Sequence, residues 1–378
     1  MVSYNGTLLG DVLTELKERN VYKAEVYAPF YLASVGIHLL NIHNRKAKIY
    51  YEGRQLPSLR LHILFVAPAG FMKTYYLEQM VRGEHSILGN TIRKTFESTI
   101  TEAGLVGTIS QSNGEIVIEE GAAKEYPDGI LAVDEFSAIT RMLQTTHSAQ
   151  LDTQLLSLLD SGMVYKRLAH GKFQYDSQLT MWGGVQPARY DLTSGMGRRF
   201  MYLLFLPSRD EAENLLEAWF HSKNIVPDSK TIEKLWGKLK VFKHKIEDIK
   251  SIEFSPELLE EYKALGIYPY EGTIFDRLIL GTQLMLDFGS KVEVSLDDPI
   301  IRDLVNKERS WRRQVAIGGE FRQILKMLED QPGKQLSRSE MTQDCLMLGW
   351  DIRKMMEVVL EMQKLRLVSV SKDYVTMV

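Results

Sequence analysis

The sequence predicts an α/β chain: a parallel sheet with helices on both faces, then a helical region, then a module of three helices closed by a strand pair. Three observations carry this reading. Short runs of branched and aromatic apolar residues alternate with helical stretches up to about residue 208, as parallel strands joined by helices do. One of these runs leads straight into a loop and a helix, in "LRLHILFVAPAGFMKTYYLEQMV" from 59 to 81. Another, "GILAVDEF" from 129 to 136, closes on two adjacent acids.

Taken in order, residues 1–58 read as a helical N-terminal segment. Apolar residues at 8, 9, 12, 13 and 16 recur near the 3.6-residue period, and "YAPFYLASVGIHLLNI" reads as a second, more buried helix. Residues 59–208 form the α/β core, with strands at 59–67, 129–136, 178–187 and 198–207. Residues 209–318 turn to amphipathic helices, including "RDEAENLLEAWFHSK" and "DRLILGTQLMLDFG", and read as a helical lid. Residues 319–378 give a helix, a break at "QPGKQ", a helix capped by Ser337 or Ser339, a turn at Gly349, a third helix and a short hairpin. That layout is the layout of a winged helix, a DNA-binding module.

Composition sets bounds on function. The chain of 378 residues is 44% hydrophobic and 25% charged, ordinary values for a globular protein. Its net charge of −3 supplies no global attraction to nucleic acid, so any DNA contact must come from local basic patches. The single cysteine, Cys345, excludes intrachain disulfides and fits a reducing compartment. With no long apolar run, neither a signal sequence nor a membrane span is expected, and a cytoplasmic location is.

The loop "FVAPAGFMKTYY", 65 to 76, matches the phosphate-binding pattern of Gly, four residues, Gly, Lys and Ser or Thr, with Ala67 and Met72 in the glycine positions. Gly70, Lys73 and Thr74 remain. A phosphate loop needs a strand before it and a helix after it, because loop amides and helix N-terminus must converge on one anion. Lys73 can reach the outer phosphates, Thr74 and Asp134 can ligate Mg2+, and Glu135 can polarise water. The competing account is a strand-to-helix turn with a solvated lysine. The acid pair on a buried strand weighs against it, because ionised carboxylates there need partners.

The stretch 98 to 139 resembles the minichromosome maintenance (MCM) helicases, a branch of the AAA+ ATPases. Ala103, Gly104 and Leu105 match the segment before the family's inserted hairpin. Gly114, Glu115, Glu120, Gly121 and Ala122 match the strand after it, and Asp134, Glu135 and Phe136 match its acidic strand. Residues 151 to 192 are similar to the family's helix, hairpin and sensor strand, and "GRRF" at 197–200 to its arginine-finger segment. The resemblance implies an AAA+ sheet whose loop, Ala67, Pro68, Ala69, Gly70, Phe71, Met72, Lys73 and Thr74, binds ATP with Mg2+. It makes Lys73, Asp134, Glu135, Gln186 and Arg199 catalytic, with Arg199 completing the site of a neighbour in a hexameric ring, and Arg277 a second sensor.

It also implies a DNA-facing hairpin, here with Lys166, Arg167, His170 and Lys172 around Ala169, and an ATP-driven DNA motor. Arg338 and Arg353 of the C-terminal module face either DNA or water. The family's alanine before the lysine makes Met72 a small departure and Ala67 the real one. Gln186 replaces an asparagine, and some 58 helical residues stand where the family has an N-terminal DNA-binding domain. That last difference leaves a second reading open, an ATP-switched replication initiator of the Orc type.

Overall fold

The computed structural model describes residues 4, 6–44, 50–51, 54–55, 59–112, 115–136, 139, 149–168, 171–186, 198–316, 319–364 and 367–377. Two helices come first, α1 (Leu8–Glu18) and α2 (Ala24–His43). The sheet region then runs β1 (His62–Val66), α3 (Lys73–Val81), β2 (Lys94–Glu97), α4 (Glu102–Val106), β3 (Thr108–Ser112), β4 (Glu115–Glu119), α5 (Ala122–Glu125) and β5 (Ile130–Val133). It continues with α6 (Ala149–Asp160), β6 (Met163–Leu168), β7 (Gly171–Asp176), β8 (Thr180–Val185) and β9 (Phe200–Leu204).

Five strands form one parallel sheet in the order β9-β1-β8-β5-β2. The two pairs β3–β4 and β6–β7 are antiparallel hairpins. Four of the five sheet strands are the four expected. The fifth, β2, reads "KTFE": an edge strand, half-buried throughout, with no apolar run to betray it.

Side chains alternate between two cores, as the two-residue period of a strand requires. Ile63, Phe65, Ile130, Ala132, Trp182, Met201 and Leu203 join one core, and Leu64, Val66, Leu131, Val133, Met181, Phe200 and Tyr202 the other. Helix α6 supplies Leu155, Leu158 and Leu159 to the second. Helices therefore cover both faces.

On the first face lies α2, buried along nearly its whole length, which is why its sequence is apolar all round. It is fixed to the sheet by polar contacts: Tyr27 donates to Leu204 O at 3.0 Å, and Trp182 Nε1 to Ser34 Oγ at 2.9 Å. The N-terminal segment thus shares one continuous core with the sheet and with helices beyond residue 209, where the sequence suggested a segment apart.

Those later elements are α7 (Arg209–Ser222), α8 (Ser229–Glu247), β10 (Ser251–Phe254), α9 (Leu258–Leu265), α10 (Pro269–Leu286), β11 (Lys291–Val294) and α11 (Pro299–Ala316). β10 and β11 pair in parallel, a small sheet not expected in a helical lid. α10 crosses α2 at Gly36 and Gly281, where a Cβ on Gly281 would lie under 3.0 Å from the Ala33 carbonyl carbon. Gly281→Ala should therefore force the helices apart and destabilise the fold by about 1–3 kcal/mol, read as a lowered denaturation midpoint.

α11 closes the β9 edge of the sheet. Glu308 accepts from Tyr202 N at 3.1 Å, Arg312 donates to Phe200 O at 2.8 Å, and the two side chains pair at 2.7 Å. An open edge is thereby satisfied without another strand.

The C-terminal module comprises α12 (Gly319–Glu329), β12 (Gln335–Ser337), α13 (Arg338–Met347), α14 (Ile352–Lys364), β13 (Val368–Val370) and β14 (Tyr374–Met377). Its antiparallel sheet has the order β12-β14-β13. The three helices and the closing hairpin are as expected; β12, three residues long, is additional. Ser337 is the cap of α13, with Glu340 completing a capping box. Cys345 sits in this module's own core, and burial pushes its thiol up to about 12. Among the described residues no helix is long and apolar enough to cross a membrane.

Candidate active site

The loop connects the carboxyl end of β1 to the first turn of α3, so it lies where open parallel sheets place their ligands. Ala67 continues the strand: its amide donates to Val185 O at 3.1 Å and its methyl is fully buried. Ala67 is therefore accommodated without strain, and the real departure is at the other glycine. Met72 has φ +48°, a conformation costing a bulky residue about 1–3 kcal/mol. Burial of its side chain, about 1.5–3 kcal/mol, offsets that cost. Gly70, at φ +78°, has open space around its Cβ position.

Lys73 is 6% exposed, and its ammonium donates to Ala67 O at 2.7 Å and to Pro68 O. Burial lowers it to about 8, against the upward pull of Glu135 and Asp134. A phosphate ligand needs the charged form. Affinity of the loop for an anion, probed with a fluorescent nucleotide, should consequently fall as pH rises through about 8, by up to about tenfold per pH unit above it.

The acid pair follows β5. Asp134 Oδ1 accepts from Thr74 Oγ1 at 2.6 Å, and Glu135 Oε2 accepts from Gln186 Nε2 at 3.3 Å. The groups around Lys73 thus come from adjacent strands, because β8, which ends just before Gln186, lies between β1 and β5. The Gly183–Gly184 pair of β8 belongs to no motif in the sequence, yet it sets the spacing of these groups. A Cβ on Gly184 would lie well under 3.0 Å from Asp134 O and 3.3 Å from Lys73 Cβ. Two adjacent glycines inside a buried strand were the available signal, since they mark a close backbone approach.

The hydroxyl of Thr74 and the carboxylate of Asp134 are hard oxygen donors in contact, a set that suits Mg2+. Among the described residues no cluster of three or more His, Cys, Asp or Glu could hold a metal alone. Mg2+ characteristically uses one or two carboxylates and completes its shell with water and substrate phosphates. Beside the loop opens a cleft of about 740 Å3, within the size range of small-molecule sites.

Other expected site residues lie elsewhere. Arg277 donates to Arg60 O at 2.9 Å, at the amino end of β1 and roughly 20 Å along the strand from the loop. It cannot act as a second sensor for its own loop; its role is to satisfy a buried carbonyl. Arg199 is buried and paired with Asp160, also at the amino end of the sheet, while Arg198 beside it is exposed. Lys166 points inward, 2.9 Å from Glu102 and 3.1 Å from Gly107 O, and is not available to DNA.

Arg167 and Lys172 are exposed and face each other across the β6–β7 register, beside exposed Tyr165. His170 lies outside the described residues. The hairpins adjoin where a Cβ on Gly171 would stand 3.5 Å from Ile109, and Tyr175 of β7 donates to Val106 O, at the end of α4 just before β3, at 2.8 Å. In the C-terminal module Arg338 is half-buried, and Arg353 is exposed but 3.3 Å from Glu357. Residues 319–378 carry nine acids and nine Lys or Arg, so this module has no basic bias. No protein-family model matches the chain, and no curated protein matches it.

Proposed function

We propose that this chain is a magnesium-dependent ATPase of the AAA+ class, similar to the MCM helicases, acting on DNA as a subunit of a ring. The observation that carries the ATPase reading is the convergence of Thr74, Asp134, Glu135 and Gln186 around Lys73 at the carboxyl ends of parallel strands. Lys73, released from the loop carbonyls, pairs with the outer phosphates. Thr74 and Asp134 would hold Mg2+, which neutralises phosphate charge when bound. Glu135 orients the attacking water and takes its proton, and the Gln186 amide fixes the carboxylate for that task. In such a ring the exposed Arg198, rather than the buried and paired Arg199, would serve a neighbour.

The DNA reading rests on the β6–β7 hairpin. Two cations directly opposite each other disfavour the folded hairpin, a cost justified by an anionic partner, and Tyr165 adds a stacking surface. Arg167→Ala and Lys172→Ala should each reduce the log–log salt slope of single-strand binding by about 0.7 while leaving nucleotide affinity unchanged. Unchanged slopes would remove the hairpin from the interface. The position of the C-terminal module, whose Gly349 turn adjoins Ala69, favours a second reading: an ATP-set switch. Stimulation of ATP turnover by DNA supports the motor, and DNA binding that follows nucleotide state without turnover supports the switch.

A further inference from the structure

Three parts of the chain meet over the phosphate loop. The cleft beside the loop is lined by Tyr22 from the α1–α2 turn, by Leu215 and Trp219 of α7, and by Met327, Met347 and Leu348 of the C-terminal module. Phe71, inside the loop, packs against both the main core and the core of that module. The turn after α13 comes close enough that a Cβ on Gly349 would stand 3.9 Å from Cβ of Ala69.

A charged junction ties the same three parts. Glu211, in the first turn of α7, pairs with Lys23 and, at 2.9 Å, with Lys326 of α12. Burial opposes ionisation of Glu211, but Lys23, the Ser208 amide and Lys326 outweigh it and hold the carboxyl at about 2. With its folded value depressed, Glu211 contributes stability that is complete above the ordinary carboxylate range and lost as pH falls towards about 2. The junction is intact at neutral pH.

We infer that the C-terminal module is one wall of the nucleotide site and that Phe71 positions the phosphate loop only while that module is seated. This rests on the nucleotide reading above. Met72 holds a strained conformation and Ala69 and Gly70 are exposed, so the loop depends on side-chain packing for its shape. Phe71 supplies that packing, and its surroundings are shared between the main core and the module. α7, the facing wall, has no fully buried residue of its own, and Glu211 in its first turn ties it to Lys23 and to Lys326 of the module. Coupling of this kind is reciprocal: whatever seats the module tightens nucleotide binding, and nucleotide seats the module.

The test uses the full chain with Mg-ADP, which binds without turnover. Hydrogen exchange is followed at 344–349, and ADP affinity is measured for the wild type and for Lys326→Glu, which sets a second carboxylate against Glu211. ADP should slow exchange at 344–349 in the wild type. Lys326→Glu should speed that exchange and weaken ADP binding by about 5- to 150-fold, the usual range of coupling between sites.

If the wild type binds ADP with exchange at 344–349 unchanged, the inference is overturned and the nucleotide reading stands. The inference is likewise overturned if Lys326→Glu frees the module without loss of ADP affinity. Should Lys326→Glu leave the module seated, the wild-type exchange result decides alone. A wild type that binds no ADP at about millimolar concentration overturns both.

Discussion

Glu135→Gln should bind MgATP as the wild type does and hydrolyse it about 10²–10⁴-fold more slowly, the usual contribution of a positioned acid–base group. The substitution preserves shape and the contact to Gln186, since an amide oxygen accepts the same hydrogen bond at 3.3 Å. It removes the negative charge and with it the ability to take a proton. Binding measured by fluorescent-nucleotide titration and turnover measured by phosphate release should therefore separate. A variant that loses both together would make Glu135 a structural residue, and one that keeps full turnover would move the base elsewhere.

Gly184→Ala should reduce turnover by about 10²-fold, the scale of an ångström-sized misplacement of catalytic groups, and lower stability by about 1–3 kcal/mol. The added methyl meets the Asp134 carbonyl oxygen, which is backbone and cannot rotate away, and the Lys73 side chain. Either β8 or the acid-bearing end of β5 must shift, and both carry site residues. Gly183→Ala is the control. Its methyl meets the side chains of Leu64 and Phe136 rather than backbone, so stability should fall while turnover falls less than in Gly184→Ala. Equal turnover in the two variants would leave the close approach at Gly184 with no part in catalysis.

What the sequence made legible follows from what each signal measures. Apolar runs identify strands buried on both faces, so β1, β5, β8 and β9 were readable, whereas β2 has polar residues and a half-buried edge position. The α2 pattern announced a buried helix but could not say against what; the answer is α10 and the sheet. Lys73, Thr74, Asp134, Glu135 and Gln186 could be grouped from the sequence because each follows the end of a strand, and adjacent strands bring those ends together. Lys166, Arg199 and Arg277 were misplaced because a cation looks the same in sequence whether solvated or paired in the interior. Each is satisfied by a partner distant in sequence, Glu102, Asp160 or the Arg60 carbonyl. Met72 was misjudged for a similar reason, since the cost of a residue depends on its φ, and its offset on burial.

The central claim is that Lys73 and its neighbours bind a nucleoside triphosphate, and a calorimetric titration of MgATP into wild type and Lys73→Ala tests it most directly. The predicted result is one site per wild-type chain with a dissociation constant in the range of about 1 μM to 1 mM, the range typical of enzyme substrates, and no detectable binding to Lys73→Ala of unchanged thermal stability. Equal binding by both chains, or none by the wild type at millimolar MgATP, would contradict the assignment of this loop as a nucleotide site.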